Sequence, residues 1–126
     1  MAVRIKRAYE PVEAADGYRV LIDRIWPRGV SKEEARLDEW TRELAPSSEL
    51  RRWFGHDPDK FTEFRRRYRA ELAGHEEKVR ELRRRARRDN LTLVYSARDT
   101  EHNDAVVLAE LLGRRSDLHS AEEEQG

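Results

Sequence analysis

At 126 residues the chain has the length of one domain, enough to bury roughly two thirds of its unfolded surface without staples. It has no cysteine, which excludes disulfides, thiolate catalysis and cysteine-ligated metal centres and suits a reducing compartment. Charged residues make up 41% of the chain at a formal net charge of zero, which argues against a globally basic nucleic-acid binder and leaves room for a local basic face.

Residues 3–9, VRIKRAY, alternate, with Val3, Ile5 and Tyr9 on one side and Arg4, Lys6 and Ala8 on the other. The pattern predicts a strand with one wet face, at a sheet edge. A loop follows, with Pro11 at its start and Asp16-Gly17 as the turn signal. Tyr18 to Ile25 reads as a second strand, apolar on both faces at Val20-Leu21-Ile22. Trp26-Pro27-Arg28-Gly29 then turns the chain out.

Ser31 with Glu34 three residues on forms a capping box, and Ala35, Leu37, Trp40 and Leu44 read as the apolar face of the helix it starts. Pro46 ends that helix, and Ser47 caps a short one with Leu50, Trp53 and Phe54 inward. Asp57-Pro58 is a further helix start. Phe61, Phe64, Tyr68 and Leu72 follow at spacings of three and four, and Gly74 breaks or bends the helix. Val79, Leu82 and Ala86 continue the pattern to about Arg88, with Asn90 as a left-handed C-terminal residue. Leu91 to Tyr95 is a third, fully buried strand, and Asp104 to Leu112 a helix closed by Gly113.

Strands alternating with helices predict an α/β fold: a small three-layer or two-layer domain with a short, mainly parallel sheet of about three strands and flanking helices. The segment between the second and third strands is long enough for a right-handed crossover, so those strands are expected to be parallel. Residues 1–115 are assigned to this domain and residues 116–126 to a disordered acidic tail. No apolar run approaches the roughly 20 residues of a membrane span, and the N-terminus lacks the apolar core of a signal peptide. A cytoplasmic protein without membrane contact is the expectation.

Ligands of open parallel sheets bind beyond the carboxyl ends of the strands, and both buried strands become polar at that edge. The second contributes Asp23, Arg24 and, past the Trp26 corner, Arg28; the third contributes Ser96, Arg98, Asp99, His102 and Asn103. The arginines offer forked donors to a phosphate or carboxylate, and a helix starting at Thr100 or Asn103 adds free N–H groups. His102 titrates near neutrality and is the candidate acid or base; Asp23 either orients it or serves as a base itself. Each residue also has a structural reading: Asp23 as an arginine's partner, Asn103 as a helix cap, His102 as an exposed first-turn residue. Trp26 is a pocket wall or a core residue, Trp40 a core residue, and His56 a helix-entry contact. The histidines lack the spacing of a helical zinc site, so no metal is assigned, and no cofactor is named.

The alternative partner is nucleic acid. Residues 65–88 hold eleven Lys or Arg against four Glu, and the Arg-rich helix 75–88 could track phosphates or meet a protein. Glu76 with Arg80 and Glu81 with Arg85 stand at the spacing of compensating pairs.

The stretches DGYRVLIDRIWPRGVSK (16–32), LAPSSELRRWFGHDP (44–58), FTEFRRRYRAEL (61–72) and LTLVYSARDTEHNDAVVL (91–108) together resemble the DUF488 family in its YeaO-like branch, across roughly residues 3–113. The resemblance implies a small, cytoplasmic, mostly bacterial α/β protein and supplies no function. It adds Ser47 and Arg51 to the residues of interest. Some relatives carry labels linking them to tetrapyrrole methylation, but no glycine-rich loop after a strand is present to cradle S-adenosylmethionine. Broader relatives have a Cys-His-Arg signature where this chain has Glu101-His102-Asn103, so thiol chemistry does not carry over.

Overall fold

The computed structural model describes residues 2–113. Four strands, β1 (Val3–Arg7), β2 (Tyr18–Leu21), β3 (Glu39–Trp40) and β4 (Leu91–Tyr95), form one sheet in the order β1-β4-β2-β3. Every pairing is parallel. The α/β expectation holds, with one strand more than the sequence suggested. β2 and β4 are neighbours, Tyr18 opposite Leu91 and Leu21 opposite Val94. Their carboxyl ends, and the polar residues beyond them, therefore lie side by side.

The helices are α1 (Lys32–Ala35), α2 (Ser48–Phe54), α3 (Phe61–Leu72), α4 (Glu76–Arg88) and α5 (Asp104–Leu112). Strand residues two apart share a face, and the core divides accordingly. Val20, Ile22, Leu91, Leu93 and Tyr95 join the α2–α5 side chains in the main core. Leu21 and Val94 point the other way, into a small cluster with Ala8, Trp26, Leu37 and Trp40. The domain thus has a thick helical layer on one side of the sheet and a thin cover of loops and α1 on the other.

That thin side holds a buried charge network. Asp16 accepts from Lys6 Nζ at 2.9 Å and Arg19 Nη1 at 2.7 Å, and all three side chains are at most 9% exposed. Burial pushes the Asp16 carboxyl up, but hydrogen bonds from Lys6, the Glu13 backbone and Arg19 outweigh it and hold the group below the usual range. Lys6, assigned by alternation to a wet face, is in fact enclosed. Beside the network, Gly17 (φ 64°) packs so tightly that a Cβ would stand 2.1 Å from the Asn90 carbonyl oxygen.

Three expectations are corrected. The helix announced by the Ser31–Glu34 capping box forms, with both reciprocal bonds present, but lasts four residues. Arg36 takes a left-handed conformation, and the chain then runs along β2, with Asp38 N–H donating to the Arg19 carbonyl and Thr41 N–H to that of Leu21. Trp40 accordingly sits in an edge strand. Main-chain bonds to an exposed sheet edge outweighed a helical pattern of four apolar residues. The second strand ends at Leu21 rather than Ile25; Ile22 N–H still donates to Val94, and Ile25 is 64% exposed. Asn90 is not left-handed. α4 ends in an extended Asp89, and the Asn90 side chain accepts from Ala2 N–H and donates to the Ala15 carbonyl.

The other helix signals are realised. Ser47 Oγ accepts from Leu50 N–H at the start of α2, Asp57 caps a short 3-10 turn leading into α3, and a 3-10 turn at Ala73–His75 separates α3 from α4. The expected acidic tail lies outside the described residues.

Candidate functional site

Beyond the carboxyl ends of β2 and β4 lies a cleft of about 800 Å³. Its walls come from the loop after β2, the start of α2, the 54–56 turn, and the segment from β4 to α5. Asp23, Arg24, Ser96, Arg98, Asp99, His102 and Asn103 all line it. Trp26 and Arg28 do not. Trp26 turns to the thin side of the sheet, where its indole N–H donates to Val30 and its ring meets Trp40 edge-on at 5.3 Å. The Arg28 carbonyl accepts from Tyr9 Oη at 3.1 Å, and its side chain belongs to the exposed turn. Past Asp23 and Arg24 the chain therefore carries both residues away from the cleft.

Asp23 is held from three directions. Its Oδ2 accepts from Ser96 N–H at 2.9 Å and Ser96 Oγ at 2.8 Å, tying the two strand-end loops together. Its carbonyl accepts from Trp40 Nε1 at 2.7 Å. Its carboxyl also hydrogen-bonds that of Asp104, the first residue of α5. An acid at a helix start is ordinarily favoured in its ionised form. Here burial comes first, then the charge of Asp23 and their mutual hydrogen bond, and together they raise the Asp104 carboxyl well above its usual range despite the helix N–H groups. Two carboxyl groups in hydrogen-bond contact require a proton between them, so Asp104 is a donor to Asp23.

Asp99 organises the next loop. One oxygen accepts from the N–H groups of Glu101 and His102, both at 2.9 Å, and the other lies 2.9 Å from His102 Nδ1. The Glu101 N–H, ahead of the contacts with His102, holds the Asp99 carboxyl below the usual range. This contact places the proton of neutral His102 on Nδ1 and leaves Nε2 as an acceptor. The ring stands edge-on to Phe61 at 5.2 Å. Asn103 is the N-cap of α5, its Oδ1 accepting from Val106 N–H while its amide donates to the Asp99 carbonyl.

The remaining wall carries residues from α2 and the 54–56 turn. Arg51, brought in by the resemblance, and Arg52 come from α2. Ser47, the other addition, caps that helix and gives both its N–H and its Oγ to Glu71 of α3, at 2.8 and 2.6 Å. His56, read as a helix-entry contact, lines the cleft and is one of two non-glycine residues with positive φ among those described. Asp104 was read only as the start of a helix. The signal available for it was a carboxylate at a strand-end helix start facing a second strand-end carboxylate.

The Arg-rich α4 is partly occupied by the domain itself. Arg80 pairs with Glu76, Arg83 donates to the Leu111 carbonyl, and Arg85 lies 4.1 Å over the Tyr18 ring; Glu81 pairs with Lys78 rather than Arg85. No group of three or more metal-ligating side chains occurs among the described residues, and none of their helices is long and apolar enough to cross a membrane.

The family model DUF488-N3i, described as the inactive DUF488-N3 subclade, matches residues 2–126. The chain belongs to the DUF488 family. It is 47% identical over 112 residues to the uncharacterized protein YeaO of Escherichia coli, covering 89% of this chain and 97% of that one. It is 44% identical over 114 residues to the uncharacterized protein Rv3073c of Mycobacterium tuberculosis, covering 90% and 95%. No solved structure matches it. For this DUF488 member, the functional reading therefore has to come from the cleft.

Proposed function

We propose that the protein binds an anionic small molecule, a phosphate or carboxylate compound, in the cleft beyond β2 and β4. One observation carries this reading: Arg24, Arg51, Arg52 and Arg98 line a single cleft, and none of them has an ion-pair partner among the described residues. The nearby acids are fewer than the arginines, and their oxygens already have partners of their own. Asp23 is engaged by Ser96 and Asp104, and Asp99 by His102 and two backbone N–H groups. Uncompensated guanidinium groups around a concavity focus a positive potential, and their fork geometry suits phosphate and carboxylate oxygens.

The description of the subclade as inactive agrees with binding without turnover. The Asp99–His102 pair favours a second reading, in which His102 Nε2 acts as acid or base on the bound compound and Asp99 holds its ring. Nucleic-acid binding through α4 is the alternative, and none of the α4 arginines lines this cleft; Arg80 is ion-paired, Arg83 donates to the Leu111 carbonyl and Arg85 lies over the Tyr18 ring.

The test is calorimetric titration of the full chain with inorganic phosphate and short phosphate and carboxylate compounds, with Arg51→Ala, Arg98→Ala and Arg28→Ala in parallel. Binding is expected in the wild type, about tenfold or more weaker in each cleft variant, and unchanged in Arg28→Ala. A ligand at 100 times its Kd should stabilise the fold by about 2.7 kcal/mol. Absence of binding and of any thermal shift at millimolar ligand overturns the proposal; consumption of the bound compound, lost in His102→Ala, selects the second reading.

A further inference from the structure

The cleft is lined by two chemically different sets of groups, and this bears on the class of anion it takes. Arginines of α2 and of the two strand-end loops supply only donors, with no acceptor among them. The set formed by Ser96, Asp23 and Asp104, called the floor below, is the reverse. Ser96 Oγ spends its proton on Asp23 at 2.8 Å and is left with lone pairs. Asp23 accepts from the Ser96 N–H and Oγ and is in hydrogen-bond contact with the Asp104 carboxyl. The pair's single proton lies between its own two members, so every further contact the floor can offer is an acceptor. A ligand that placed its anion there would meet lone pairs; one that placed an apolar end there would leave them unpartnered, at a cost. Hydroxyl groups satisfy this floor.

We infer that the ligand of this cleft is a hydroxyl-bearing anion, a phosphorylated or carboxylated polyol, with its anionic group on the arginines and its hydroxyls on Ser96, Asp23 and Asp104. The inference rests on the anion-binding reading above and narrows it. An ammonium group is the competing donor. Four arginines line the same cleft and already supply positive charge to these acids, which favours a neutral hydroxyl donor over a further cation. The volume of about 800 Å³ admits a compound of several carbons beyond its anionic group.

The experiment compares ligands of equal carbon length on the full chain by calorimetry: propyl phosphate, glycerol 3-phosphate and 3-aminopropyl phosphate, with butyrate and 3,4-dihydroxybutyrate for the carboxylate class. The wild type is expected to bind the hydroxylated member of a pair at least tenfold more tightly than its plain counterpart. Ser96→Ala and Asp104→Ala are expected to erase that preference, the ratio of glycerol 3-phosphate to propyl phosphate affinity within each variant being the readout. Asp104→Asn, which keeps the volume and a donor toward Asp23, retains part of the preference and controls for misfolding of the alanine variants. Equal affinities for plain and hydroxylated anions overturn this inference and leave anion binding standing. A preference for the aminopropyl compound overturns it in favour of a cationic group at the floor. Failure of all five compounds overturns both readings.

Discussion

Asp23 and Asp104 come from different strand-end segments, yet their carboxyl groups share one proton across the floor of the cleft. Such a contact is unfavourable for folding at neutral pH, because the unfolded chain would ionise both groups.

Asp104→Asn should therefore stabilise the protein. The folded-state pKa of Asp104 lies above its unfolded value of about 4. Its contribution to stability is fully present below pH 4 and is lost as pH rises toward the folded pKa, at up to about 1.4 kcal/mol per pH unit. Asparagine does not titrate. Urea unfolding of wild type and variant should agree near pH 4 and diverge upward, with the variant more stable at pH 7. A variant less stable than wild type at pH 7 would refute the shared proton.

Asp99 should control the tautomer of His102. Its carboxylate receives Nδ1–H, so nitrogen-detected NMR at alkaline pH should show the Nδ1–H form in the wild type. In Asp99→Ala the ordinary Nε2–H form should predominate. The same replacement should cost about 1–2 kcal/mol through the lost bonds to the Glu101 and His102 N–H groups. An unchanged tautomer would show that the contact does not persist in solution.

Removing Asp16 should be far more damaging than removing an exposed carboxylate. Asp16→Ala leaves Lys6 and Arg19 buried without their shared partner, at a cost of roughly 3–5 kcal/mol. Because Asp16 is held below its ordinary range, its stabilising contribution is present above about pH 4 and disappears as pH falls through the folded value. Acid unfolding should thus begin at higher pH in variants already weakened elsewhere. Denaturant midpoints from pH 2 to 7 measure both effects; a loss below 1 kcal/mol in Asp16→Ala would mean that water screens the network.

Ser47 and Glu71 should act as a pair. Ser47→Ala removes the α2 cap and the bond to Glu71, for about 1–2 kcal/mol. Glu71→Ala should cost a similar amount, and the double variant less than the sum. Since α2 carries Arg51 and Arg52, both variants should also weaken anion binding without touching the ligand. Additive losses in a double-mutant cycle would separate the two residues.

The strongly periodic stretches were legible from residues alone. The α3 face of Phe61, Phe64, Tyr68 and Leu72 is buried as spaced, the caps at Ser31, Ser47 and Asp57 form, and β4 is buried throughout. These are local consequences of period and side-chain chemistry. The Leu37–Leu44 stretch was not legible, because its helical spacing competes with main-chain bonds that exist only once β2 offers an edge. Sequence also marked the strand ends as polar, and adjacent parallel β2 and β4 bring those ends together. It could not say that the Trp26-Pro27 corner turns Arg28 away, that α2 brings Arg52 in beside Arg51, or that Asp104 meets Asp23. Those facts depend on how separate segments pack, and a carboxyl group's proton is decided by its neighbours in space, not by those in the chain.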